Sequence, residues 1–380
     1  MGHLWIRGKH PDRLLMTVIL LLTAMGMVYL YSTGAYYGEA RFHDHAYYFK
    51  KQLLAVSLGL AVMYGVSCME YTWIIRRAGL FYFASLLLSA AVLVVGKEYN
   101  GSKRWLAFGP LSFQPAEFAK AAVIILLVFV ISRRTGERTG FFFTVGIFLL
   151  ILPIVALVGT NNLSTAVIIL GIAACLIFMA NPKYIQFVGL GAVAMAMAGI
   201  FLALESYRLE RIAVWLDPEN YDKGFQTIQG LYAIGSGGLF GLGLGEGRQK
   251  LGFVPEAQND MIFSIICEET GLFGALLLLG LFAFLIIRLY MLSVRARDLE
   301  GSLLLAGIMT HIALQVILNV AVVTNSIPNT GITLPFISYG GTSVAFLLVE
   351  MGLVLSVSRY TRLGSSAGGI SGKTRTSDSR

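Results

Sequence analysis

The chain has 380 residues, of which 56% are hydrophobic and only 13% charged, with a mean hydropathy of +0.73. A soluble domain carries about 25% charged residues and a disordered chain is richer still in polar and charged side chains, so both classes are excluded; the apolar supply suits about ten bilayer spans of about 20 residues each. In such a chain the net charge of +8 reports membrane topology before it reports any acidic partner, nucleic acid included.

The first apolar run, 14–30, follows a basic N-terminal segment and exceeds the core of a signal peptide, so it reads as a retained first span. Further runs cover 53–68, 80–95, 121–131, 141–158, 163–180, 185–204, 261–287, 303–323 and 334–357. The short fourth run reaches spanning length only if it begins near Pro115, which brings Glu117 and Lys120 into it, and the last run contains Glu350. The expected fold is therefore an all-α polytopic membrane protein of about ten transmembrane helices. With both termini cytoplasmic, every inner loop holds Lys or Arg, as the positive-inside rule requires. Residues 1–363 read as one transmembrane domain with a long outer loop, about 205–260, before the eighth span, and 364–380, rich in Ser and Gly, as a disordered cytoplasmic tail.

Basic residues also fall in the outer segments: Arg41, Lys50 and Lys51, then Lys97, Lys103 and Arg104, then Arg208, Arg211, Lys223, Arg248 and Lys250. Two readings stand side by side: long loops cross regardless of charge, or an anionic ligand docks on the outer surface. Cys68, Cys175 and Cys267 are too few for a disulfide framework and are expected to be free thiols. His and Cys show no metal-ligand spacing.

Three segments could carry chemistry. In the first, Pro255 suits the first turn of a helix, which would place Glu256, Asp260, Ser264 and Glu268 four apart on one face of the eighth span. Ionisable residues in a span are costly and mark functional sites, although a single carboxylate at a helix entry is also favoured by the dipole. In the second, Arg104 and Gln114 precede Glu117 and Lys120, three apart on one helix face. A buried ammonium needs a partner, so Lys120 either pairs with Glu117 or helps to hold a phosphate. The third is Gly235–Gly247, whose glycines permit unusual backbone angles. It matches neither a P-loop nor a dinucleotide fingerprint and reads as a pliable loop.

Across 100–120, 210–218, 224–247, 253–274 and 319–343 the sequence resembles the SEDS family (shape, elongation, division and sporulation), the FtsW/RodA/SpoVE-type proteins. The strings Pro255-Glu256-Ala257 before Asp260, and Leu334-Pro335-Phe336-Ile337-Ser338-Tyr339-Gly340-Gly341, carry the resemblance. It implies a multi-pass protein of the bacterial cytoplasmic membrane. It further implies a peptidoglycan glycosyltransferase that polymerises lipid II on the outer face, beside a class B penicillin-binding protein transpeptidase and other divisome or elongasome proteins. The family's essential aspartate falls on Asp260, and its cavity lining on Arg104, Gln114, Glu117, Lys120 and Glu256, with Glu268 and Arg211 joining them as substrate contacts. Asp260 is expected to be the base, with Lys120 and Arg104 neutralising the leaving diphosphate. Asp260 or Glu256 could instead ligate a divalent cation, Mg2+ or Mn2+, and the sequence keeps both roles open. Gln258-Asn259 stands where the family usually has His-Thr, Met261 replaces Phe, and Asn161-Asn162 replaces Pro-Asp, so the second carboxylate of many relatives is absent. The 322–324 and 334–341 segments look closest to the division and sporulation branch. A lipid II flippase is the alternative; it draws no support from internal repeats, and most charged residues lie near the outer rim.

Overall fold

The computed structural model describes residues 10–99, 102–108, 111–134, 140–180 and 206–361. Helices α1 (Arg13–Phe42), α2 (Tyr47–Ser67), α3 (Tyr71–Ile75) and α4 (Ala78–Val95) come first. Strands β1 (Lys97–Tyr99), β2 (Ser102–Phe108) and β3 (Leu111–Phe113) follow. Then come α5 (Pro115–Ser132), α6 (Phe141–Asn161), α7 (Leu163–Ala180), α8 (Ser206–Leu216) and α9 (Phe225–Ser236), and finally α10 (Ile262–Val294), α11 (Leu299–Val323) and α12 (Gly341–Ser358). Nine helices among the described residues are long and apolar enough to cross a membrane. The expected seventh span, 185–204, and the tail, 364–380, lie outside the described residues.

Side-chain burial separates protein-facing from lipid-facing helices. Along α5 nearly every residue from Ala119 to Val128 is buried, whereas α4 turns Leu80, Phe83, Leu87 and Val94 outward. In a bilayer such outward apolar faces need no protein cover, and close helix contacts depend on small residues. The α2–α12 contact is of that kind: a Cβ on Gly352 would lie 2.8 Å from the Met63 carbonyl oxygen, and one on Gly59 2.7 Å from Leu348.

Polar contacts gather at the two ends of the bundle. At one end Asp12 caps α1 through the Leu15 N–H and pairs with Arg288 at 2.5 Å, while Asp298 caps α11 and accepts from the Tyr71 hydroxyl at 2.5 Å. These groups come from segments that the charge pattern places inside. At the opposite end Trp215 donates to the Asn325 carbonyl (2.9 Å), Ser164 to that of Thr330 (2.6 Å) and Thr342 to that of Ser112 (2.7 Å).

Three expectations change. Residues 97–113 contain a three-stranded antiparallel sheet rather than plain loop, with Leu106 opposite Phe113 and Ala107 opposite Ser112. The last span begins at Gly341 rather than 334, because Phe336 adopts φ +62° and the turn around it is tied to α2, with Gln52 donating to the Ser338 carbonyl (3.2 Å). The glycine-rich segment is not pliable. It is built into α10, which breaks at Gly271 (φ +65°, ψ −166°). The carbonyls of Glu268 and Glu269, freed by the break, accept from the N–H groups of Leu242 and Gly243 at 2.9 Å each. The N–H groups of Leu272 and Phe273 donate to the carbonyls of Gly238 (3.0 Å) and Leu239 (3.1 Å). Within a membrane freed backbone groups need such partners, and glycine lets the backbones meet: a Cβ on Gly237 would lie 1.9 Å from the Cys267 carbonyl.

This interlock sits nine residues into α10, about 14 Å along its axis. The segment between α8 and α10 is therefore only partly an outer loop: α9 runs beside the first turns of α10, and the chain then returns upward to Asp260. Lys250 pins the return. Its ammonium lies 2.5 Å from Glu269, 2.7 Å from the Ser32 hydroxyl and 2.6 Å from the Gly245 carbonyl, with Lys250 and Glu269 both buried. Removing one partner of a buried pair leaves the other charge uncompensated, at a cost of about 3–5 kcal/mol. Lys250→Met is therefore expected to lower thermal stability in detergent by that order, and Lys250→Met/Glu269→Leu to recover much of it; melting curves showing no loss in the single variant would remove the pair as the pin of this segment.

Candidate active site

Asp260 lies in the turns that lead into α10. The expected helical start at Pro255 is not realised: Glu256 takes φ +55°, outside helical space, and α10 begins at Ile262. Of the anticipated stripe only Ser264 and Glu268 share a helix face. Glu256 is instead held within its turn, accepting from the Asn259 side-chain amide.

Asp260 is 8% exposed, and its Oδ1 has no hydrogen-bond partner among the described residues. Burial, with the Glu256 carboxylate adding repulsion, pushes its pKa up from 3.8 to about 7, against the nearby Gln226 amide of α9, which lowers it. A carboxyl with that value is poised to exchange a proton near neutrality. Its backbone is fixed by two neighbours: Asn319 on α11 donates to the Asp260 carbonyl at 2.8 Å, and Tyr339 donates its N–H to the Gln258 carbonyl at 2.8 Å.

Lys120 is on α5 and fully buried, with its ammonium 3.1 Å from Glu117 and 3.4 Å from Gln315 Oε1. The intrahelical pair is thus formed. Asp260 and Lys120 make no direct contact, yet they meet the same face of α11. Along it His311, Gln315 and Asn319 recur every four residues, and His311 lies 2.8 Å from Glu350 of α12. The carboxylate in the last span thereby acquires the partner that the sequence did not name.

The remaining expected residues are dispersed around this seam. Arg104, on β2, donates through Nε to the Asn161 carbonyl at 2.7 Å, while Asn161 donates back to the Lys103 carbonyl at 2.8 Å. Asn162 accepts from the Thr165 N–H, opening α7. The pair that replaces Pro-Asp is therefore a clamp between the sheet and two helices. Gln114 flanks the first residue of α5. Arg211, exposed on α8, donates to the Asn329 carbonyl at 3.3 Å. Glu268 is buried below, accepting from the backbone N–H groups of Arg248 (2.8 Å) and Gln249 (3.2 Å). It anchors the return segment.

The sequence assigned no site role to Gln226, His311, Gln315 or Asn319. The last three carry a legible signal, since polar residues at i, i+4 and i+8 interrupt an otherwise apolar run; Gln226 had none. Among the described residues no group of three or more His, Cys, Asp and Glu is placed to hold a metal ion. A hard cation that keeps waters and bridges to phosphate needs only one or two carboxylates, and Asp260, with its unpartnered oxygen, fits that lesser demand better than Glu256, which already accepts from Asn259.

Comparison with known proteins places this arrangement. The family profile described as "Cell cycle protein", covering FtsW, RodA and SpoVE, matches residues 12–363. Stage V sporulation protein E of Bacillus subtilis is 39% identical over 93% of this chain and 98% of its own length. A probable peptidoglycan glycosyltransferase FtsW of Trichlorobacter lovleyi is 33% identical over 94% and 95%. Among solved structures, one described as "Structural coordination of polymerization and crosslinking by a peptidoglycan synthase complex" matches with a TM-score of 0.78 at 30% identity, over 92% of this chain and 98% of that one. RodA of Thermus thermophilus matches with a TM-score of 0.69 at 30% identity, over 93% and 98%. With a matching profile along nearly its whole length and a shared fold at 30% identity, the chain belongs to the FtsW/RodA/SpoVE family of multi-pass membrane proteins.

Proposed function

We propose that this protein is a peptidoglycan glycosyltransferase that polymerises lipid II at the outer face of the cytoplasmic membrane, in division or sporulation-type wall synthesis. The observation that carries the reading is Asp260: a buried carboxyl, one oxygen unpartnered, titrating near neutrality at the mouth of α10. Relatives named as glycosyltransferases support it. The flippase alternative gains little from the break in α10. Transporters use such breaks to present half-helix ends to substrate, but here the freed backbone groups are taken by Gly238–Gly243.

In this reading Asp260 accepts the proton of the acceptor sugar's 4-hydroxyl as that oxygen attacks C1 of the donor. The bond from C1 to the lipid diphosphate breaks with inversion, and the diphosphate leaves with the electron pair. Lys120 stabilises that developing charge by exchanging Glu117 for phosphate, and Arg104 steadies the same end from the sheet. A divalent cation held by Asp260 and the substrate's phosphates would add charge neutralisation there. For partnership we propose a single-span class B penicillin-binding protein, in line with the description of the similar synthase complex, which couples polymerisation to crosslinking.

Base catalysis is worth about 10²–10⁴ in rate, so Asp260→Ala is expected to lose lipid II polymerisation by that factor while still inserting and folding; near-normal glycan synthesis by the variant removes the assignment. The pH dependence follows from the raised value. Asp260 binds its proton more tightly folded than unfolded, so its contribution to stability is complete below about pH 4 and is lost as pH rises to about 7. Turnover should climb over that same window and level off above about pH 7, while thermal stability declines. Asp260→Asn should flatten the stability change, and a wild-type profile with no limb near neutrality contradicts the base role. A limb that moves to lower pH when Mn2+ is added identifies Asp260 as a cation ligand.

Lys120 has a separate test. If it only neutralises Glu117, the variant Lys120→Met/Glu117→Gln regains polymerisation. A leaving-group role expects the double variant to melt normally and remain at least about tenfold slow.

A further inference from the structure

We infer that Asn319 and Gln315 are positioning residues of the proposed transfer reaction: side by side on α11, they index Asp260 and Lys120 to one shared stretch of backbone, Ile332-Thr333. The inference rests on the function proposed above and assigns work to Gln315, which lies outside the motif segments, and to Asn319, which opens the 319–343 segment.

Asn319 is completely buried and spends its amide N–H groups on two carbonyls, those of Asp260 (2.8 Å) and Ile332 (2.7 Å). Gln315, 2% exposed, works in both directions: Oε1 accepts from the Lys120 ammonium (3.4 Å), and Nε2 donates to the Thr333 carbonyl (3.1 Å) and hydroxyl (3.3 Å). Residues four apart share one helix face, about 6 Å apart along the axis. A single rigid helix thus sets the separation of base and cation, and the next two residues of the 332–333 segment close the frame. Only a carboxamide supplies this pattern without charge: two donors on one nitrogen and an acceptor beside it. Aspartate at 319 would turn a carboxylate toward two carbonyl oxygens, and glutamate at 315 would lose both donations to Thr333.

Such residues act through the geometry of others, and small misplacements of reacting groups cost large factors in rate. Asn319→Leu and Asn319→Asp are each expected to lower kcat for lipid II polymerisation about tenfold or more, with the half-saturating lipid II concentration unchanged within about threefold. Gly352→Ala serves as comparator, because it strains the α2–α12 contact away from this seam and lowers the melting temperature without touching it. At matched loss of melting temperature Gly352→Ala keeps kcat and the Asn319 variants do not. Wild-type turnover by Asn319→Leu, or an equal loss in Gly352→Ala, overturns the inference. Should the Asn319 variants not accumulate in membranes, Gln315→Glu carries the test with the same two readouts, and unaltered kcat in it overturns the inference too. Asp260→Ala assayed alongside separates the failures: if it polymerises normally the proposed function falls, whereas an inactive Asp260→Ala beside a fully active Asn319→Leu sinks only the positioning role.

Discussion

The break in α10 is the constraint on which the site depends. A helix that spans a bilayer has no reason to open unless its freed backbone groups find partners. Here the partners are the glycines and leucines of 238–243, which pair with Glu268, Glu269, Leu272 and Phe273 as a short strand would. Because the turn of 237–247 must be drawn down to reach the break, the chain has to come back up, and the return delivers Glu256 and Asp260 to the head of α10. The Lys250–Glu269 pair and the grip of Glu268 on two backbone N–H groups hold that return at depth. The carboxyl of Asp260 is thus set by contacts well below it.

Much of the architecture is written in hydropathy. The apolar runs locate the described spans, and Lys and Arg sort the loops into two sets that the structure gathers at opposite ends, Asp12 with Arg288 at one and Trp215 with Asn325 at the other. Spacing rules were weaker wherever a single backbone angle overrode them. Pro255 followed by carboxylates four apart reads as a helix start, yet Glu256 at φ +55° breaks the register before Ile262. Phe336 at φ +62° does the same ahead of α12. Neither residue type favours that region, so composition carries no warning of it. The glycine-rich turn failed for a different reason: glycine signals freedom and close approach alike, and which of the two applies depends on a break in another helix that no local pattern announces.

The candidate site residues divide along the same line. Asp260 and the Glu117–Lys120 pair were legible because charge in an apolar run is conspicuous. Asn319 and Gln315 are neutral, and their importance lies in what they join. Buried carboxamides that satisfy several partners at once specify one arrangement of their surroundings, and the two here tie α11 to α5, to the approach to α10 and to 332–333.

The departures from the family pattern follow the same economy. Asn259 supplies the donor that keeps the Glu256 carboxylate folded against its own turn, which brings a second negative charge near Asp260 and helps to raise its pKa. Asn161 and Asn162, standing where a carboxylate is usual, clamp the strand that bears Arg104. Asn161 and Asn162 thus bring amides, and no carboxylate of their own, to the strand that carries Arg104. The amides at these positions hold geometry: Asn161 and Asn162 join β2 to the start of α7, and Asn259 fixes the turn that carries Glu256 beside Asp260.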